Sequence, residues 1–133
     1  MNVDGKCHCG RISYAASVDP EKVSVCHCTD CQMFTGSAYR VSVQVPKEQF
    51  ALRSGAPAIY VKTAASGAKR AQAFCADCGT PVYSSAASEP TTYSLRIGCL
   101  SQRADLPPKR RIWCDSAVGW SQDLQALPSS GRQ

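Results

Sequence analysis

The sequence predicts a mainly β fold with short helical turns. Residues 38–45, A-Y-R-V-S-V-Q-V, put Val41, Val43 and Val45 on one face and Arg40, Ser42 and Gln44 on the other. That alternation is the pattern of a half-buried strand. Turn-forming pairs recur along the chain, among them Asp19-Pro20, Ser54-Gly55, Ser66-Gly67, Glu89-Pro90 and Pro107-Pro108, and they separate short strand-like runs. No stretch sustains the apolar spacing of a long amphipathic helix.

Taken in order, the runs place strands at 11–15, 23–25, 38–45, 50–53, 58–62, 70–74, 92–97 and 111–113. The segment 29–34 reads as a short helix with Thr29 as N-cap, since a threonine hydroxyl can accept from a free first-turn N–H. Residues 46–49, opened by Pro46, read as a single helical turn. Residues 1–126 form one domain on this reading, and the polar, Pro- and Gly-bearing stretch 127–133 a flexible tail. A chain of 133 residues buries roughly two thirds of its unfolded surface, enough for a core that needs no disulfides.

Seven of the nine cysteines lie in three clusters: Cys7 and Cys9; Cys26, Cys28 and Cys31; Cys75 and Cys78. An odd total cannot pair fully within one chain. No run approaches the ~20 apolar residues of a membrane span, and Met1–Lys6 lacks the apolar run of a signal peptide. The expectation is a cytoplasmic protein in a reducing compartment, whose clustered thiols bind metal.

The spacing suits zinc. Alternate side chains of an extended segment share a face, so Cys7 and Cys9 can meet one ion while His8 points away. Cys75-Ala76-Asp77-Cys78 has knuckle spacing, and Gly79 can take the positive φ that such a turn needs. Pairing Cys7 and Cys9 with Cys75 and Cys78 makes a closed four-thiolate structural site. Cys26, Cys28 and Cys31 supply three corners of a second. Its fourth corner is open to His27, to Cys99 or Cys114, to water or to substrate. His27 lies between two ligands and faces away from them if the segment is extended. Cys99 and Cys114 stand alone among apolar neighbours and read as small core residues. Trp113 and Trp120 read as core or rim.

The formal charge is +5. Seven bound thiolates and two divalent ions bring it to about +2, which is not a polyanion-binding balance. Nucleic acid is therefore not the expected partner. The basic run Lys109-Arg110-Arg111 reads as a solvated surface stretch, or else as a patch that steers a small anionic substrate.

These motifs together resemble the glutathione-dependent formaldehyde-activating enzyme family, which includes the centromere protein V relatives. The resemblance runs from about Lys6 to Trp120. It rests on Cys7-His8-Cys9-Gly10 with Ile12 and Tyr14, on Cys26-His27-Cys28-Thr29-Asp30-Cys31 with Gly36, and on Phe74-Cys75-Ala76-Asp77-Cys78-Gly79-Thr80-Pro81. Ile112-Trp113 with Trp120 fits the family's closing pattern. The resemblance implies several small coiled antiparallel sheets stapled by zinc. It also implies a structural zinc on Cys7, Cys9, Cys75 and Cys78 and a second zinc on Cys26, Cys28 and Cys31; an enzymatic role for the second predicts two ions per chain, the second more easily lost. The implied activity is that of a carbon–sulfur lyase forming S-hydroxymethylglutathione from glutathione and formaldehyde.

A thiol–aldehyde adduct leaves an alkoxide that needs a proton, and His27 and Asp30 are the nearest candidates in sequence. The same chemistry on another small thiol or aldehyde fits equally. A zinc-stabilised module that binds protein or nucleic acid without chemistry is the alternative of a different class. A homo-oligomer is compatible with all three.

Overall fold

The computed structural model describes all 133 residues, Met1–Gln133. In chain order the strands are β1 (Asn2–Lys6), β2 (Ser13–Ser17), β3 (Val23–Cys26), β4 (Arg40–Pro46), β5 (Phe50–Ser54), β6 (Ala58–Thr63), β7 (Lys69–Phe74), β8 (Pro81–Ala86), β9 (Thr92–Arg96) and β10 (Arg110–Ile112). One α-helix, α1 (Thr29–Thr35), follows β3, and short 3-10 turns fill several connections. No helix is long and apolar enough to cross a membrane.

The strands form two sheets, one of three strands in the order β1-β2-β5 and one of seven in the order β10-β3-β4-β9-β8-β7-β6. The expectation of several small antiparallel sheets is corrected on two counts. One sheet is large, and it contains a parallel pair, because β10 returns beside β3 with Arg111 opposite Val25. Parallel neighbours need a long crossover, and almost the whole chain from α1 to Pro108 supplies it. Lys109 N–H donates to the Val23 carbonyl at 3.0 Å and sets the register.

The core lies between the sheets. Val3, Ile12, Tyr14 and Ala16 come from the smaller sheet and its turn, and Val43, Val45, Val82 and Leu95 from the larger. Phe50, Tyr83 and Tyr93 close one side as a ring cluster with centroids 4.8–5.6 Å apart. Strands β1 and β8 were invisible in the sequence. In β1 the buried positions are only Val3 and Gly5, and in β8 the buried positions include two serines, Ser84 and Ser85. Neither offers the apolar alternation on which strand recognition depends.

Gly5 is buried because the Tyr14 ring lies across it; a Cβ there would collide with Cζ and Oη of Tyr14. Gly5→Ala is expected to destabilise the chain by about 1–3 kcal/mol, the range for overpacking a closed site. Thermal melting by circular dichroism measures this, and an unchanged Tm would mean that Tyr14 can move aside.

The opposite face of the larger sheet is polar, and the register carries it across five strands. Arg40, Ser42 and Gln44 on β4 face the same side; Ser42 pairs with Arg96 and Gln44 with Ser94 on β9. Ser94 pairs with Ser84 on β8, Ser84 with Gln72 on β7, and Arg70 with Lys62 on β6. The alternation that buries Val43 and Val45 therefore builds a continuous polar surface behind them. Helix α1 and the segment after β10 stand at its edge.

Candidate metal centres and active-site cleft

The first cluster brings together Cys7, Cys9, Cys75 and Cys78, whose Sγ atoms all lie within 4.8 Å of one another. Cys7 and Cys9 do not sit on a strand as expected. They flank a tight turn after β1, closed by Gly10 N–H donating to the Cys7 carbonyl at 3.1 Å, with Gly10 at φ 83°. The second pair sits on a matching turn between β7 and β8, where Gly79 N–H donates to the Cys75 carbonyl at 2.8 Å and Gly79 takes φ 77°. Both turns thus end on a left-handed glycine, a conformation that costs other residues about 1–2 kcal/mol.

The Sγ atoms of Cys7 and Cys9 are 3.6 Å apart and those of Cys9 and Cys75 3.8 Å. These separations are far beyond a disulfide bond. They match the edge, about 3.8 Å, of a tetrahedron with zinc–sulfur bonds of about 2.3 Å. Ile12 N–H donates to Cys7 Sγ at 3.3 Å, and Cys78 Sγ lies 3.2 Å from Thr80 Oγ1. The Thr80 hydroxyl and nearby backbone N–H groups bring the Cys78 thiol down to about 5. The donor set is one that could hold a divalent ion as four thiolates.

The second cluster gathers the sulfurs of Cys26, Cys28 and Cys31, also within 4.8 Å of one another. Cys26 ends β3, Cys28 is the N-cap of α1, and Cys31 lies in the helix's first turn. The cap is thus Cys28 and not Thr29: Cys28 Sγ accepts from Cys31 N–H at 3.3 Å. A hydrogen bond from Cys26 and then the charge of Arg40 bring the Cys31 thiol down to about 4; the same bond and burial push Cys26 up. Arg40 Nε donates to Cys31 Sγ at 3.2 Å, and Arg40 Nη1 bonds Ser42 Oγ. No histidine, carboxylate or further cysteine joins the three.

A cleft of about 510 Å³ opens beside this cluster. Its floor is the polar face of the larger sheet, with Arg40, Gln44, Lys62, Arg70, Gln72 and Arg96. Four cations meet one carboxylate, Asp30, which accepts from Lys62 Nζ at 2.8 Å. Ile112 and Trp113 form part of the mouth. Trp113 is 60% exposed and holds a left-handed backbone, φ 58°, which is uncommon for a bulky residue. Its turn is fixed to the cysteine loop. The Ile112 carbonyl accepts from His27 N–H at 3.0 Å, and Gln32 Nε2 bridges the carbonyls of His27 and Ser116.

The remaining sequence candidates fall in different places. Asp30 lines the cleft, but His27 does not. The imidazole is 1% exposed, packs edge-on against Tyr39 at 5.5 Å, and neither ring nitrogen has a hydrogen-bond partner. Cys99 is buried, donates to the Pro81 carbonyl at 3.2 Å, and is pushed up to about 11 by burial. Cys114 is exposed, against the core reading, because it lies in a surface 3-10 turn after β10. Trp120 is likewise a surface residue. Lys109 pairs with Glu21 at 3.6 Å, and Arg110 and Arg111 are exposed on the edge strand, away from the cleft lining. The cleft's own cations were not singled out from the sequence. The signal that could have found them is the polar half of each alternation, Arg40 and Gln44 above all.

A crystal structure of a Rhodobacter sphaeroides protein superposes with a TM-score of 0.62 at 18% identity, covering 81% of this chain and 98% of that one. At that identity the likeness establishes the fold. The sequence profile described as glutathione-dependent formaldehyde-activating enzyme matches residues 2–116, which include both cysteine centres and the whole lining of the cleft. The chain therefore belongs to the glutathione-dependent formaldehyde-activating enzyme family.

Proposed function

We propose that this chain forms S-hydroxymethylglutathione from glutathione and formaldehyde in the cleft beside Cys26, Cys28 and Cys31. The observation that carries the reading is a three-sulfur cluster with no fourth protein donor, beside a cleft lined by four cations and one carboxylate. A site that leaves one metal position free is the arrangement of catalytic rather than structural zinc. Glutathione carries more negative than positive charge, which matches the lining. The non-catalytic module has no comparable observation in its favour, since the basic run at 109–111 is exposed and partly paired.

Cys26, Cys28 and Cys31 would hold the second zinc, as Cys7, Cys9, Cys75 and Cys78 would hold the structural one. Zinc in such a site acidifies a thiol or polarises an aldehyde oxygen. Arg40, donating to Cys31 Sγ at 3.2 Å, adds to the Cys26 hydrogen bond in favouring the Cys31 thiolate. The thiol of glutathione gives up its proton to water, and its sulfur attacks the formaldehyde carbon. The new C–S bond takes the sulfur lone pair, and the C=O π pair moves to oxygen. That oxygen then needs a proton.

Lys62 is the donor. Its ammonium lines the cleft and is oriented by Asp30, with 20% of the side chain exposed. Asp30 accepts from Lys62 Nζ at 2.8 Å, and its role is to hold Lys62 in place. His27, buried outside the cleft lining, has no path to the reacting oxygen. Lys62 regains its proton from water, so the sum is thiol plus aldehyde to hemithioacetal with nothing left over.

Lys62→Met is expected to lower kcat by about 10²-fold, the lower range for general acid catalysis, with little change in KM for formaldehyde. Two-dimensional exchange NMR, which follows adduct formation against the uncatalysed background, measures this. Absence of any acceleration by the fully zinc-loaded wild-type protein would refute this substrate assignment.

A further inference from the structure

Trp113 holds a backbone conformation that ordinarily falls to glycine, φ 58° and ψ 39°. Glu89, the other non-glycine residue with positive φ, sits in an exposed bend. Trp113 instead lines the cleft beside the three-cysteine cluster. Packing does not explain its conformation, because the residue is 60% exposed and takes no part in the core. The turn does not need a large residue either. Ser116 N–H donates to the Trp113 carbonyl at 3.2 Å, and Ser116 Oγ lies 3.1 Å from the same oxygen; glycine would offer that carbonyl equally well. What the turn fixes is position. Ile112 pairs with Cys26 across the parallel strands, and Ser116 Oγ also donates to the His27 carbonyl at 3.1 Å. Trp113 is thereby tied to the cysteine loop from both sides. Strained backbone persists where its surroundings impose it, and it clusters at functional sites.

We propose that Trp113 is a substrate-contact residue: its indole walls the cleft where the substrate sulfur meets the three-cysteine cluster, and the left-handed backbone is retained to place it there. This rests on the thiol–aldehyde reading above and adds a residue whose role is binding rather than proton transfer. Small-molecule sites combine a few polar groups with aromatic walls, and an indole gives a large, rigid contact surface at small entropic cost. Here the cations and Asp30 supply the polar part, and Trp113 with Ile112 and Phe34 the apolar one. A contact made equally in the ground and transition states acts on KM and leaves kcat alone.

Three variants separate the ring from the backbone. Trp113→Phe keeps a ring and the strain, Trp113→Ala keeps the strain alone, and Trp113→Gly keeps neither. All three should fold, since the side chain is mostly exposed. Trp113→Gly should melt a few degrees above Trp113→Ala, because glycine takes positive φ freely. In zinc-loaded full-length protein, isothermal titration calorimetry uses S-methylglutathione, which has no free thiol to react. Trp113→Ala and Trp113→Gly should bind it about tenfold more weakly than wild type, the loss expected when an aromatic contact is removed, with Trp113→Phe in between. KM for glutathione should rise by a similar factor, with kcat within about twofold of wild type. In a Trp120→Phe background Trp113 is the only tryptophan, and saturating probe should shift its emission to the blue as the indole leaves water. Wild-type affinity in Trp113→Gly, or unmoved emission, would overturn the contact even if formaldehyde turnover is intact. A wild-type protein that binds no probe would overturn it as well. A Trp113→Gly protein that melts below Trp113→Ala would overturn the claim that the backbone is strained. Probe binding that depends on Trp113 but is accompanied by no turnover would uphold the contact and remove the reaction assigned above.

Discussion

Replacing Cys75 with serine is expected to abolish the cooperative thermal transition of the folded chain. Cys75 is 1% exposed and belongs to the core. Its centre joins the turn after β1, in the smaller sheet, to the turn between β7 and β8, in the larger. Few other contacts fix these two turns to each other: His8 N–H donates to Thr80 Oγ1 at 3.0 Å, and Arg11 pairs with Asp77 at 3.6 Å on the surface. An exposed ion pair of that kind contributes at most about 1 kcal/mol. A four-thiolate zinc contributes on the order of 10 kcal/mol, comparable to the whole stability of a domain, about 5–15 kcal/mol.

Serine is nearly the size of cysteine, so the substitution leaves little cavity. What it removes is a soft, ionisable ligand. The effect should therefore far exceed that of Cys99→Ser, which sits in the same core but keeps a donor for the Pro81 carbonyl. Circular dichroism melts with metal analysis distinguish the cases: Cys99→Ser should retain two zinc ions and melt close to wild type. A Cys75→Ser protein that melts within a few degrees of wild type would show that the sheets hold together without this centre. Chelation of the wild-type protein should reproduce the Cys75→Ser result.

The cysteine spacing was the most legible feature because ligand geometry is local. Two residues on a tight turn can converge on one ion whatever the rest of the chain does, so C-x-x-C with Gly79 could be read directly. Cys7-His8-Cys9 was matched with Cys75 and Cys78, whose sulfurs do lie within 4.8 Å of its own, but it was given the wrong backbone. An extended segment and a glycine-ended turn both bring two sulfurs together, and the sequence alone does not separate them. Strand β4 was legible because Val43 and Val45 are buried to 0%. Strand β1 was not, since Gly5 owes its burial to Tyr14 from another strand.

The cleft was illegible for the same kind of reason. Arg40, Lys62, Arg70 and Arg96 come from four strands, and only the pairing order β4-β9-β8-β7-β6 sets them on one surface. Asp30 could be named from its place between Cys28 and Cys31, whereas its partner Lys62 is 32 residues away. His27 misled for the opposite reason. Proximity in sequence to Cys26 and Cys28 placed it at the site, but alternation turned its ring toward Tyr39.

Cys28→Ser should separate the two centres. It is expected to preserve the fold, reduce bound zinc from two ions per chain to one, and lower activity by at least a hundredfold. Preservation of the fold follows from the helix cap. Cys28 Sγ accepts from Cys31 N–H, and a serine hydroxyl is among the preferred groups at that position. Cys28 is only half-buried and is not part of the core between the sheets, so little packing is lost. Loss of metal follows because two thiolates and a neutral hydroxyl make a much poorer soft-metal site. The activity estimate starts from outer-shell changes, which alone cost about 10–100-fold; removing a direct ligand should exceed them. Arg40 supplies the internal comparison. Arg40→Ala keeps all three sulfurs but removes the donor to Cys31, so it should retain the metal and fall within that smaller range. If Cys28→Ser instead unfolds as Cys75→Ser does, the middle cluster is a second structural staple, and the case for chemistry there fails. If it keeps two zinc ions and full activity, Cys26 and Cys31 suffice and the third corner lies elsewhere.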